Sequence, residues 1–204
     1  SLPLELAAMG EPVGCCLHGI DLSRIKAGST VLVIGAGTIG LMMLQLAKQS
    51  GAARVVVIEP IVEKHAAAYA LGATLCINPK EADPADVMTG KGYPPVDVSI
   101  ECVGLGVTVN EAIRLCGKGG TVMMFGLTPP DCEIALKPFD VFRRELHLTA
   151  SFINPYTLQR SLNLIESGAI QIEPLFGPRV PLKDIATVFE DPAYRKLGKI
   201  LIIP

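Results

Sequence analysis

The segment VLVIGAGTIGLMMLQLA, residues 31–47, restricts the possible folds of this chain more than any other. Four apolar residues, Val31 to Ile34, run into Gly35, Gly37 and Gly40, and a mostly apolar stretch follows. A short run that is apolar on both faces reads as a strand covered on both sides, which is the habit of parallel sheets. Each glycine then has a distinct task at the turn. Gly35 permits a tight exit from the strand, Gly37 lets an anionic group approach the backbone with no Cβ in the way, and Gly40 lets the following helix pack closely on the sheet. Thr38 and Ile39 open that helix, whose free N–H groups and roughly half a positive charge suit a diphosphate.

Similar β-branched runs recur at 54–59, 74–78, 96–102, 120–126 and 146–152. Helix-like segments lie between them at 38–50, 61–71, 82–89 and 106–116, with Gly51 and Gly72 placed as left-handed caps and Pro84 in a first turn. This alternation predicts an α/β fold, a doubly wound six-stranded parallel sheet of the Rossmann type. The flanks break the repeat. Residues 1–28 carry one helical segment, expected to open at Pro12. Residues 153–204 carry two amphipathic stretches, 157–167 and 182–191, and a final strand at 199–204. The segment 132–142 is an expected edge strand for pairing with a second copy.

The second strand ends in Glu59, 19 residues beyond Gly40. Strand, glycine turn, helix and acid together form the dinucleotide pattern, in which the acid accepts hydrogen bonds from ribose hydroxyls. A 2′-phosphate there would meet like charge at a cost of about 1–4 kcal/mol at 4 Å, so the expectation is NAD over NADP. Lys64 either sits near that position or is an ordinary surface lysine. Pairs Met42–Met43 and Met123–Met124 read as core, and Arg143–Arg144 as a surface pair.

Composition narrows the partners. Half of the residues are hydrophobic and the formal net charge is −2, which gives no electrostatic reason to expect nucleic acid or an anionic membrane. No apolar run is long enough to span a bilayer, and the start carries no basic leader. The six cysteines show no CxxC spacing and read as buried thiols of a cytoplasmic protein.

Six ordered blocks resemble the zinc-dependent medium-chain dehydrogenase superfamily, and most of all its polyol branch of sorbitol, iditol and arabitol dehydrogenases. They are EPVGCCLHG (11–19), VLVIGAGTIGL (31–41), VVVIEP (55–60), DVSIECVG (97–104), GGTVMMFGL (119–127) and FRREL with SFINP (142–155). The resemblance implies a cofactor path over Gly35, Gly37, Thr38, Ile39, Gly40, Glu59 and Lys64, then Phe125, Gly126 and Leu127, then Ser151, Phe152 and Ile153. It implies that residues 1–11 and 153–204 belong to a catalytic domain around a dinucleotide-binding domain at 12–152. It further implies NAD-dependent, zinc-assisted oxidation of a small secondary alcohol or polyol by a homodimer or homotetramer.

Most of the family's zinc ligands come from a preceding domain that this chain does not include, so the fragment alone is expected to be inactive. His18, His65 and His147 have no second ligand at a useful spacing. Glu11 matches the family glutamate that faces the zinc and substrate; read from the residues alone, it is a cap for the helix beginning at Pro12. The family's sugar-binding arginine and its neighbouring tyrosine fall at Ile153 and Asn154, a departure that leaves the alcohol open. Two other readings stand beside the dehydrogenase: a stand-alone NAD(H)-binding sensor or interaction module, and a zinc-free reductase of the same superfamily.

Overall fold

A computed structural model of the chain describes residues 2–196 and 198–204, apart from the side chains of 195 and 196. Residues 1 and 197, which fall within the expected flanks 1–11 and 153–204, lie outside the described residues. Six strands form the central sheet: β1 (Thr30–Ile34), β2 (Arg54–Ile58), β3 (Leu75–Ile77), β4 (Val96–Glu101), β5 (Cys116–Met124) and β6 (His147–Ala150). All pair in parallel, in the order β3-β2-β1-β4-β5-β6. The order reverses between β1 and β4, and there the carboxyl ends of the strands open a crevice.

Nine helices accompany the strands among the described residues. They are α1 (Leu4–Ala7), α2 (Gly10–Leu22), α3 (Thr38–Gln49), α4 (His65–Ala70), α5 (Pro84–Gly90), α6 (Gly106–Leu115), α7 (Pro138–Arg144), α8 (Leu158–Glu166) and α9 (Ile185–Glu190). Two buried clusters pack on the two faces of the sheet. One joins Val31 and Val33 to α2, α3 and the segment 165–175; the other joins Leu32 and Ile34 to α5 and α6. Strand residues alternate between the clusters as the two-residue period requires. Met42, Met43 and Met123 are fully buried, as expected of core residues.

Helix starts follow local chemistry. Asp83 caps α5 by accepting the Ala85 N–H at 2.7 Å, with Pro84 in the first turn. Gly51 and Gly72 take positive φ after α3 and α4. Gly40 has a stricter constraint, because a Cβ there would overlap the Gly35 carbonyl oxygen.

The chain differs from expectation both in the flanks and between β5 and β6. The second helix opens at Gly10 rather than Pro12, and α1 precedes it. A strand β7 (Phe176–Pro181) pairs in parallel with the expected final strand, β8 (Lys199–Ile203). Residues 132–137 pair with no strand of this chain and 138–144 are helix α7, so the expected edge strand does not extend past residue 137; Pro138 sits in the first turn of that helix. Arg144 is no bare surface residue either. Its guanidinium donates to the carbonyls of Ile113, at 2.8 Å, and Cys116, closing the carboxyl end of α6.

Helices α2 and α8 pack through small residues. The Ser161 hydroxyl donates to the Gly10 carbonyl at 2.6 Å and the Thr157 hydroxyl to the Gly14 carbonyl at 2.8 Å. Gln45 of α3 holds the C-terminal segment through a paired amide contact, donating to the Gln171 carbonyl (3.1 Å) and accepting the Gln171 N–H (2.8 Å).

Replacing Gly40 by alanine is expected to cost about 2–3 kcal/mol by overpacking backbone against backbone. Urea denaturation of the variant should show a lowered midpoint with an unchanged slope.

Candidate functional site

The crevice begins at the glycine turn. Gly35 adopts φ +99°, and a Cβ there would stand 2.9 Å from Val103 Cγ2. At Gly37, by contrast, a Cβ would meet no protein atom within 4 Å, so open space lies above the turn. Helix α3 begins at Thr38 with no side chain capping it. Its first N–H groups therefore face the crevice and lack intrahelical partners. At this turn Gly35 and Gly40 shape the backbone, Gly37 leaves it bare, and Thr38 and Ile39 open α3.

Glu59 follows β2 and is almost wholly buried, at 4% exposure. Its Oε2 accepts the Ala36 N–H at 2.8 Å and its Oε1 the Ile61 N–H at 2.9 Å. Lys64 Nζ lies 3.7 Å from Oε2 and is about one-third exposed. The His65 ring Nε2 lies 2.8 Å from the Glu59 carbonyl, which can only accept, so that nitrogen carries its proton. The Glu59 carboxylate is therefore held at the turn itself and keeps free lone pairs toward the crevice. An adjoining apolar cavity of about 400 Å³ is lined by Gly37, Glu59, Pro60, Lys64, Pro79 and Leu105, among others.

On the other side of the glycine turn, a second cavity of about 420 Å³ lies at the carboxyl ends of β5 and β6. Phe125, Gly126, Leu127, Ser151 and Phe152 line it. Leu127 and Phe152 are strongly exposed, at 95% and 82%. The Ser151 hydroxyl oxygen is buried with no hydrogen-bond partner among the described residues, so a polar ligand group would complete it. Ile153 follows with φ +61°, a costly conformation for a β-branched residue. A third cavity, about 240 Å³, brings Gly37 and Thr38 together with Lys64 and with Pro174, Leu175, Phe176 and Gly198 of the C-terminal segment.

One residue missed by the sequence reading holds the crevice floor. Glu101 at the end of β4 is fully buried and binds the Val103 and Gly104 N–H groups and the Thr108 hydroxyl. A strand-final acid followed three residues later by glycine, E-x-x-G, was the available signal.

Glu11 lies exposed in the first turn of α2, but no side chain caps that helix. Its Oε1 instead accepts the Cys15 thiol at 3.2 Å, which corrects the capping expectation. Burial first, and then Glu11, push the Cys15 thiol up to about 11. Asn154 packs one helical turn along: a Cβ at Gly14 would stand 3.5 Å from its Nδ2. No hydrogen bond joins Glu11 to Asn154 among the described residues. Among those residues no three His, Cys, Asp or Glu side chains converge to hold an ion, so the donors present do not by themselves fit a zinc site. Burial also pushes the Cys102 thiol well up, consistent with a structural rather than reactive group.

A parallel 3-2-1-4-5-6 sheet with an open glycine turn and a strand-end acid is the arrangement of the Rossmann fold. Residues 38–167 match the family model described as zinc-binding dehydrogenase, and the chain belongs to that family. The D-arabinitol dehydrogenase 1 of Uromyces fabae is 29% identical over 98% of this chain and 58% of its own length. The sorbitol dehydrogenase of Rattus norvegicus is 30% identical, over 99% of this chain and 57% of its own. A candidate zinc-binding dehydrogenase from Sinorhizobium meliloti 1021, solved with NADP bound, is 40% identical, with a TM-score of 0.92 over 97% of this chain and 58% of that one. The chain spans somewhat more than half the length of the relatives it matches. No helix among the described residues is long and apolar enough to cross a membrane.

The Cys15 thiol should resist alkylation. With a pKa of about 11 its thiolate is scarce below that pH, so at pH 8 it should react about a hundredfold slower than a free cysteine, quickening as pH rises toward 11. Peptide mapping after iodoacetamide labelling at several pH values reads this directly.

Proposed function

We propose that this chain is the nucleotide-binding portion of an NAD-dependent dehydrogenase that oxidises a small secondary alcohol, a polyol or a close relative of one. The observation that carries the reading is the uncapped start of α3 beneath open space at Gly37. A diphosphate placed there meets free N–H groups and the positive end of the helix. The adenosine then falls on the Glu59 side, in the cavity between Pro60, Pro79 and Leu105. The nicotinamide falls on the other side, at the ends of β5 and β6, where Phe125, Leu127 and Phe152 shield it from water and the Ser151 hydroxyl is free to bond it.

When bound, the nicotinamide is the hydride acceptor. The chain's own residues bind and orient it. Glu59 supports NAD over NADP, because its buried carboxylate accepts ribose hydroxyls and repels a 2′-phosphate. Lys64, 3.7 Å from that carboxylate, moderates the repulsion. Glu11 is proposed as this chain's contribution to a metal site whose other donors come from another segment, with Asn154 beside the substrate. Residues 1–11 and 153–204 are proposed to belong with that other segment and 12–152 to form the nucleotide domain, in a cytoplasmic enzyme.

Fluorescence titration with NADH and NADPH tests the assignment. NADH should bind at least about tenfold more tightly, and Glu59→Ala should narrow the gap. Equal affinities would overturn the choice of NAD. Gly37→Ala separates binding from folding: the new methyl meets no protein atom, so stability should hold within about 0.5 kcal/mol. NADH affinity should nonetheless fall more than tenfold. If the variant binds NADH normally, the diphosphate does not lie on this turn. The 204-residue chain alone should reduce no NAD⁺ with polyols, followed by absorbance, and turnover matching a full-length relative would contradict the reading.

A further inference from the structure

Glu101 is a buried acid that the glycine turn and the ribose contact do not account for. It ends β4 at the switch point of the sheet, paired in register with Ile34 of β1 and Met124 of β5. The side chain is wholly buried, at 0% exposure. Oε1 is fully engaged, accepting the Val103 N–H (2.7 Å), the Gly104 N–H (2.9 Å) and the Thr108 hydroxyl (2.8 Å). Oε2 has no partner.

That second oxygen has a direction. A Cβ on Gly126 would stand 2.5 Å from it, so Oε2 lies directly behind the Gly126 backbone. Gly126 is a wall of the cavity at the ends of β5 and β6, and no charged side chain lines that cavity. No lysine, arginine or histidine pairs with Glu101 among the described residues. A carboxylate thus stands one backbone thickness behind an uncharged pocket, unneutralised and out of water, where charge acts further than it does at a surface.

We infer that Glu101 sets the oxidation state of the nicotinamide that the pocket prefers, favouring the oxidised, cationic ring over the reduced, neutral one. The inference rests on the proposed function, which places the nicotinamide in this cavity. The oxidised ring carries a positive charge, and on accepting hydride it loses that charge. A negative charge behind Gly126 attracts the first state and leaves the second unaffected, so the site is biased toward binding the oxidant of an alcohol oxidation. Glu101 acts across the backbone and touches no reacting atom.

Calorimetric titration of the full chain with NAD⁺, NADH and ADP-ribose, repeated on Glu101→Gln and Glu101→Asp, tests it. In Glu101→Gln the affinity for NAD⁺ should fall about tenfold relative to that for NADH. ADP-ribose, which lacks the ring, should bind within about twofold of the unaltered chain. Glu101→Asp keeps the charge and should keep the preference; its loss there would count against the inference. A purely structural role would weaken all ligands together and leave the NAD⁺-to-NADH ratio unchanged, which overturns the inference. If the unaltered chain binds neither nucleotide, the cofactor reading fails instead. Should Glu101→Gln not fold, the unaltered chain decides with benzamide adenine dinucleotide, an uncharged isostere of NAD⁺. Tighter binding of NAD⁺ is expected, and equal binding overturns the inference.

Discussion

Helix α3 meets the sheet at a separation set by one absent side chain. At Gly40 the helix backbone lies against the Gly35 carbonyl, in space that any Cβ would need. This approach brings the first turn of α3 to the end of β1, so its free N–H groups face the crevice between β1 and β4 rather than solvent at large. The buried helix face, Leu41 to Ala47, then locks that position against β1, α2 and the segment around Ile170 and Ile172. The uncapped start of α3 and the hydrophobic core are therefore one arrangement. A helix further out would lose packing on one side and bare amides at the crevice on the other.

Two buried carboxylates complete the crevice from neighbouring strand ends, and they solve the same problem differently. Leaving a carboxylate in the interior is costly unless its oxygens are hydrogen-bonded. Glu59 spreads its bonds over both oxygens, one to Ala36 at the glycine turn and one to Ile61, with Lys64 nearby as counter-charge. Among the described residues Glu101 has three donors on one oxygen and none on the other. The first arrangement shapes the glycine turn. The second shapes the Val103–Gly104 turn, which in turn touches Gly35 on one side and the Gly126–Leu127 backbone on the other. Rigid turns on both sides of the crevice thus trace back to two acids at strand ends.

Much of this was legible in the sequence because it rests on local period and local glycine chemistry. Residues 31–34 and 55–58 are apolar on both faces, and their strands appear where the pattern puts them. The glycine turn reads directly, since each glycine answers a local demand. The failures have equally specific causes. The segment 132–142 is rich in apolar residues, but Pro138 favours a helical first turn, and Phe139 and Phe142 are exposed on α7. Strand β7 was hidden by its glycine and two prolines, which suit a strand only in a small two-stranded sheet with an open edge. Glu101 was passed over because its bonds depend on where β4, α6 and the Phe125–Gly126 turn meet, and no single segment carries that information.

The flanks matter to the site through α3 as well as by adjacency. Gln45 lies on the same helix whose start opens at the crevice, and its amide holds Gln171 by two hydrogen bonds. Four residues on, Leu175 and Phe176 line the cavity shared with Gly37 and Thr38. The C-terminal segment therefore takes its position from α3 and forms one wall of the groove that the helix opens. At the other end, Thr157 and Ser161 tie α8 to the Gly10 and Gly14 carbonyls, setting Asn154 beside the turn of α2 that carries Glu11. A movement of α3 on ligand binding would carry the 169–176 segment with it. The start of α3 and the Glu11–Asn154 region are thus joined through packed helices and hydrogen bonds to main-chain groups.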